Sequence, residues 1–281
     1  MTEIDPSDVP GRYGSLTIVG TGISLLGQFT LEARRHVESA DKVLYVVADP
    51  LTAAYLLNLN ASAESLFRFY EVGKDRIETY LDMVEYVLGF VRQGLSVCAA
   101  FYGHPGVFAL PSHVAVRRAR AEGYRAEMLP GISAEDCLFA DLGIDPGARG
   151  CQSFEATDFL VYHRIFDPRS CLVLWQVGAI GEIGYMTEYR LRNIDVLAET
   201  LCQSYPADHE VIIYEAALYP VCEPKVQRLR LRDLESATIT ALSTLAVPPT
   251  SSGAPDLDMY DRLGIRRSYV ETVTGLKRLM G

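Results

Sequence analysis

Metal-ligand spacing is what this chain most plainly lacks. Its six cysteines, Cys98, Cys137, Cys151, Cys171, Cys202 and Cys222, form no CxxC pair, and no histidine stands at ligand spacing from them. That scatter excludes a zinc ribbon or finger and points to reduced, buried thiols. Nor does any apolar run reach membrane-spanning length, and the opening MTEIDPSDVPG has neither a charged n-region nor an apolar h-region. A dense Lys/Arg run is missing too: 26 basic residues face 36 acidic ones, a formal charge of -10, which disfavours general attraction to a phosphate backbone. The expectation is a soluble cytoplasmic protein with no metal, no membrane and no nucleic-acid partner.

What is present suits a large core. The chain has 281 residues, 49% of them hydrophobic, enough for two modest domains. Short β-branched runs alternate with helical patterns, the mark of parallel sheets with crossover helices. Strands are expected at Leu16 to Val19, Val43 to Val47, Leu95 to Ala100 and Ala126 to Leu129, with helices near Thr30 to Ala40, Asp75 to Gln93 and Ser112 to Glu122. A second set has apolar runs at Cys171 to Trp175, Glu210 to Tyr214, Val226 to Leu231 and Thr238 to Leu242, and a helix near Ile194 to Ser204. The fold class is α/β, divided as an N-terminal arm (1–14), an N-terminal α/β domain (15–135), a C-terminal α/β domain (136–249) and a tail (250–281).

The run Tyr102 to His113, YGHPGVFALPSH, follows an apolar strand. Gly103 and Gly106 permit positive φ or close approach, while Pro105 and Pro111 stiffen the segment. Ser112 is placed to cap the helix that follows. Strand, rigid loop, helix is the layout in which α/β sheets bind ligands beyond the carboxyl ends of their strands; a plain chain-reversing turn is the alternative. Gly20, Gly22 and Gly27 after the first strand, with Asp49 ending the second, superficially suggest a dinucleotide fingerprint. Leu25 stands where the third glycine is required, so that reading fails.

The long helix carries the other chemical hint. Asp75 and Glu78 have capping-box spacing, and Ile77, Leu81, Val84, Leu88 and Val91 recur as a buried stripe. Arg76 and Tyr80 stand four apart on a neighbouring face. A cation at a helix N-terminus opposes the macrodipole at a cost of a few tenths of a kcal/mol, so this arginine has either a function or a local carboxylate partner.

Seven blocks then appear in order: GTGIS (20–24), YVVADP (45–50), Tyr70 with Arg76 and Tyr80, FYGHPGVF (101–108), GISAEDCLFADL (131–142), LWQVG (174–178) and STLAVPP (243–249). On these the chain resembles the tetrapyrrole methylase superfamily and, within it, the borosin-type peptide backbone α-N-methyltransferases. The resemblance implies a two-domain fold with S-adenosylmethionine in the interdomain cleft, a homodimer and a precursor-peptide substrate. It implies a catalytic constellation of Tyr70, Arg76, Tyr80 and Tyr102. Cofactor contacts carried over residue by residue are Tyr102, His104, Val107, Phe108, Ser133, Ala134, Gln176, Tyr214, Glu215, Ala216, Ser243 and Thr244. His104 can equally be a structural hydrogen-bonding residue of its loop, and Trp175 reads as core.

The chemistry is coherent with that set. A peptide nitrogen is unreactive because its lone pair is delocalised into the carbonyl, so it attacks only as its proton leaves. A proton acceptor and a positive charge near the developing imidate oxygen are needed. Tyr70, Tyr80 and Tyr102 are candidate acceptors, and Arg76 with the helix N-terminus is the candidate for charge stabilisation. A corrin or porphyrin methylase, or a catalytically silent peptide-binding member, are the competing readings. In fused borosins a Val/Ile/Gly-rich C-terminal segment is the methylated core; here the chain ends RRSYVETVTGLKRLMG, which is basic and amphipathic, so a precursor supplied in trans is expected.

Overall fold

In the computed structural model, which describes residues 14–24, 27–47, 49–186, 192–251 and 254–266, the alternating pattern builds two α/β units. The first comprises Met1–Gly143, Glu182–Tyr189 and Glu215–Lys225; the second, Ile144–Gly181, Arg190–Tyr214 and Val226–Gly281. The arm 1–13 and the tail 267–281 lie outside the described residues.

The elements run, in order, β1 (Ser15–Gly20), α1 (Leu31–Ser39), β2 (Lys42–Val46), α2 (Pro50–Leu59), β3 (Glu64–Ser65), α3 (Arg76–Arg92), β4 (Ser96–Phe101), α4 (Leu110–Ala121), β5 (Arg125–Met128) and α5 (Ala134–Leu142). The first unit's sheet has the order β3-β2-β4-β1-β5, with β1 parallel to β4 and β5 and β2 parallel to β3 and β4. Alternate residues of each strand feed two cores, one on each face. Leu16, Ile18, Leu44, Val97, Ala99 and Phe101 pack beneath α3 and α4 with Met83, Val84, Val87, Leu88 and Ala115. Val19, Val43, Tyr45, Cys98 and Ala100 pack beneath α1 and α2 with Ala33, Val37 and Leu56. A parallel sheet covered on both faces explains why β1 and β4 read as nearly continuous apolar runs.

The second unit holds α6 (Pro146–Arg149), β6 (Cys151–Glu155), α7 (Ala156–Val161), β7 (Cys171–Trp175), α8 (Ile194–Cys202), β8 (Glu210–Glu215), β9 (Lys225–Arg230), β10 (Thr244–Val247) and α9 (Leu257–Arg262). Its sheet order is β6-β7-β10-β8-β9. Only part of it is parallel: β6 runs with β7, but β10 is antiparallel to both β7 and β8. Its core gathers Phe159, Leu172, Leu174, Leu197, Leu201, Ile213, Leu245 and Val247.

Several local expectations are corrected. Thr238 to Leu242 is a turn, in which Ser243 N–H donates to the Thr240 carbonyl and Leu242 N–H to Thr240 Oγ1. Threonines compete for the backbone in this way, and the strand is displaced to the wholly buried Thr244–Val247, which ends before Pro248 and Pro249. Ser112 is no cap. Pro111 occupies the first turn of α4, where its missing N–H costs nothing, and Ser112 is buried inside the helix with its hydroxyl unpartnered among the described residues. The inner face of α3 is Thr79, Met83, Val84, Val87, Leu88 and Val91, so Ile77 and Leu81, expected inside, are exposed. Thr79 holds the inner face by donating its hydroxyl to the Asp75 carbonyl at 3.1 Å. Of the cysteines, Cys98 and Cys171 are buried, but Cys202 and Cys222 are exposed.

Candidate active site

Crossovers leave β1 and β4 in opposite directions: β1 leads left to β2, whereas β4 leads right past β1 to β5. This is the switch point at which open α/β sheets form a crevice beyond their carboxyl ends. The two loops that rise there are GTGIS after β1 and YGHPG after β4. They are laced together: Gly103 N–H donates to the Gly22 carbonyl at 3.0 Å, and Gly22 N–H to the Gly103 carbonyl at 3.3 Å. Both glycines have positive φ, +72° and +73°, and a Cβ on Gly20 would lie 2.2 Å from the Gly103 carbonyl oxygen. Glycine is required here by close backbone approach.

Gln28 pins the same corner. Its Oε1 accepts from Ile23 N and Ser24 N at 2.8 and 3.0 Å, and its Nε2 donates to Cys137 Sγ on α5 at 3.2 Å. The dinucleotide alternative finds no support. α1 starts only at Leu31 with Thr30 as its cap, and Asp49, far from free for a ribose, caps α2 through Leu51 N and Thr52 N.

Tyr102 is anchored by its N–H to the Val46 carbonyl at 2.9 Å. Burial, with negative charge at Cys137 and Asp49 adding to it, pushes its phenol up to about 12, so it is a hydrogen-bond donor at neutral pH rather than a ready base. His104 Nδ1 accepts from Gly106 N–H at 2.9 Å, and His113 Nε2–H donates to the Gly106 carbonyl at 2.9 Å. The structural role weighed for His104 is therefore present. Val107 and Phe108 are exposed, and Phe108 takes φ +51°, a conformation a bulky L-residue adopts only where its surroundings impose it. Ser133 and Ala134 open α5, with Ser133 and Asp136 forming a full capping box.

The second candidate cluster of the first unit lies at the start of α3. Asp75 caps the helix by accepting from Ile77 N–H at 2.6 Å. Arg76 is its first residue and Tyr80 follows one turn later, both half-buried. Tyr70 meets Tyr80 edge to face, ring centroids 6.5 Å apart. Tyr70 and Tyr80 both pack against the core cluster that contains Phe101, the residue before Tyr102. Two aromatics that sequence reasoning missed complete the cluster: Phe67, 5.1 Å from Tyr70, and Tyr185, 5.0 Å from it.

In the second unit Gln176 ends β7 with φ +58°, again a left-handed non-glycine. Thr244 lies directly across from Tyr214 in the β10–β8 ladder, and Leu245 across from Leu174. Gln176, Ser243, Thr244 and Tyr214 thus gather at one end of this sheet. Ser243 Oγ accepts from Thr240 N–H at 2.8 Å and Tyr214 is 1% exposed. Glu215 pairs with Lys225 at 3.0 Å, with Ala216 beside it. Trp175 is core, donating Nε1–H to Ser153 Oγ at 2.6 Å. The cofactor candidates include no lysine or arginine and their one carboxylate is ion-paired, so the set fits a sulfonium nucleoside, which needs carbonyls and apolar walls, better than a dinucleotide pyrophosphate. Among the described residues no group of His, Cys, Asp and Glu could hold a metal ion, and no helix is long and apolar enough to cross a membrane.

Known proteins resemble this chain in sequence and fold. The chain is 47% identical over 262 residues to the methyltransferase/ribosomally synthesized cyclic peptide gymnopeptides precursor of Gymnopus fusipes, covering 92% of this chain and 62% of that protein. It is 44% identical over 273 residues to a methyltransferase/type III borosin cyclic peptide precursor of Anomoporia bombycina, covering 94% of this chain and 31% of that one. The chain therefore spans less than two thirds of each of these relatives. Among solved structures it is similar to the uroporphyrin-III-C-methyltransferase of Thermus thermophilus, with a TM-score of 0.58 and 22% identity over 86% of this chain and all of that one, a likeness of fold. Residues 15–235 match the family of Tetrapyrrole (Corrin/Porphyrin) Methylases, and on that match, which spans most of its length, the chain belongs to that family.

Proposed function

We infer that this protein is an S-adenosylmethionine-dependent α-N-methyltransferase acting on backbone amides of a ribosomally made precursor peptide. The observation that carries the reading is 47% identity across 92% of the chain to a protein named as methyltransferase and peptide precursor. The aromatic and cationic cluster at α3 supports it. The domain limits proposed for this enzyme are 15–135 and 136–249, and a homodimer is its proposed assembly.

When bound, the cofactor supplies an electrophilic methyl and leaves as S-adenosylhomocysteine. Tyr102, His104, Val107, Phe108, Ser133, Ala134, Gln176, Tyr214, Glu215, Ala216, Ser243 and Thr244 are the residues proposed to hold it. The protein's own task is to make the amide nitrogen nucleophilic. Arg76 and the positive end of the α3 dipole stabilise the negative charge that develops on the amide oxygen as the proton departs. The phenolate of either Tyr70 or Tyr80 takes that proton, directly or through water, and becomes a neutral phenol as the nitrogen gains the methyl. Tyr102, held as a phenol, donates a hydrogen bond and orients.

Labelled S-adenosylmethionine with a candidate precursor peptide tests the reading, a uroporphyrinogen-type tetrapyrrole serving as the competing acceptor. Arg76→Ala and Tyr80→Phe are expected to lower methyl transfer by about a hundredfold or more, the scale of removing one charge-stabilising donor, with folding and cofactor binding retained. Full activity in both variants, or label on the tetrapyrrole alone, overturns it.

Supply in trans is the finer part of the proposal. Residues 266–281, RRSYVETVTGLKRLMG, are basic rather than Val/Ile/Gly-rich, so this stretch is not itself proposed as the methylated core. The relatives' names join both functions in one chain, so supply in cis is the competing arrangement.

A further inference from the structure

Residues 182–186 lie across the turn that carries Tyr70 to Arg76. The contact is made by backbone: Gly73 N–H donates to the Tyr185 carbonyl at 3.1 Å, Tyr185 N–H to the Lys74 carbonyl at 3.2 Å, and Arg76 N–H to the Ile183 carbonyl at 3.3 Å. Gly184 permits the approach, since a Cβ there would stand 3.3 Å from the Lys74 carbonyl oxygen. One bond occupies the first amide of α3, the very residue proposed to stabilise charge. Side chains add to the clamp. The Tyr185 ring lies 5.0 Å from Tyr70 and meets Phe67 edge to face at 5.9 Å. Phe67, Tyr80 and Tyr185 thereby hold the Tyr70 ring on three sides.

The strap also fixes the backbone on the C-terminal side of Tyr70. Tyr70 ends a four-residue 3₁₀ turn, Leu66–Phe69, with its own N–H bonded back to Phe67, and the chain then passes through Gly73 at φ +81° before reaching the α3 cap. Such a segment has several accessible conformations. Proton transfer from an amide tolerates no such spread, because a displacement of about 1 Å can cost about a hundredfold in rate.

We propose that Tyr185 is a positioning residue of the methyl-transfer site: its ring and the backbone of residues 183–185 lock Tyr70 and the first turn of α3 into one geometry. The inference rests on the reading of Tyr70 and Arg76 as the acceptor corner, and it adds a residue that touches neither donor nor amide. Aromatic area rather than the hydroxyl does the holding, so phenylalanine suffices at this position.

The experiment compares Tyr185→Ala and Tyr185→Phe with the wild-type chain. Four quantities are measured: kcat and KM with labelled S-adenosylmethionine and precursor peptide, cofactor affinity by calorimetry, and hydrogen exchange of residues 70–76 by mass spectrometry. Tyr185→Ala is expected to lower kcat by about ten- to a hundredfold, leave cofactor affinity within about twofold, and speed exchange at Gly73 and Arg76. Tyr185→Phe stays within about threefold of wild type in every measurement. Unchanged exchange in Tyr185→Ala overturns the proposal, as does wild-type kcat despite faster exchange, or equal loss in the two variants. Should the alanine variant not fold, Tyr185→Leu, apolar but without a ring, takes its place. If the wild-type chain methylates no peptide, the functional reading fails by itself, and exchange still decides whether Tyr185 fixes the turn.

Discussion

A phenol held near pKa 12 by burial is un-ionised throughout the range in which enzymes are assayed, and this decides what Tyr102 can do. Three tyrosines are equivalent acceptors on paper, but their surroundings separate them. Tyr102 opens the YGHPG loop, buried near Cys137 and Asp49, whereas Tyr70 and Tyr80 meet ring to ring by the first turn of α3, which Arg76 begins. Because the folded value is raised, the proton is retained as pH rises past 10 and is lost only near 12. Tyr102→Phe is therefore expected to lower kcat by about two- to tenfold, the worth of one neutral hydrogen bond, without altering the shape of the pH profile between 7 and about 10. A profile whose alkaline limb disappears in Tyr102→Phe, measured as initial rates with labelled cofactor, would make Tyr102 the titrating base after all.

Elements were legible from sequence where one physical signal dominated. β7 is a continuous apolar run and was expected at the residues where it lies, and α3 is bounded by Asp75 as the spacing predicts. Legibility failed where two signals competed. Thr238 to Leu242 has β-favouring composition but the Thr240 hydroxyl accepts from Leu242 N–H and closes a turn, and Pro111 overrides Ser112 as the starter of α4. The strap was invisible for another reason: main-chain hydrogen bonds between segments far apart in sequence set its register, and no residue type encodes that. Cross-element charge was equally hidden. Arg92 on α3 makes a bidentate pair with Glu122 at 2.7 and 2.8 Å and also bonds Glu85, which Arg118 on α4 engages at 2.6 Å. Arg92 holds Glu122 below the ordinary glutamate value of 4.5, and Arg92 with Arg118 does the same for Glu85. With folded values depressed, this network contributes stability above about pH 4.5 and loses it as pH falls below that. Urea unfolding of Glu122→Gln should show a lower midpoint than wild type at pH 7, and the two should converge by about pH 3. Equal midpoints at pH 7 would mean that solvent screens the network fully.

For the whole molecule the question is where the acceptor peptide comes from. Residues 250–281, fully extended, could reach about 100 Å, so distance does not keep them from the chain's own site. Charge does. Arg266, Arg267, Lys277 and Arg278 face only Glu271 in that final stretch, and a segment of that sign would have to approach a corner carrying Arg76. Like charges brought together away from water are costly. A neutral Val/Ile/Gly segment has no such penalty. Intact mass spectrometry of the chain expressed in cells that make S-adenosylmethionine is therefore expected to give the unmodified mass, and a neutral apolar peptide co-expressed with it should gain methyl groups one at a time. Methyl increments on the chain itself, localised by fragmentation to residues 266–281, would show that repulsion does not govern access and that the tail is a substrate.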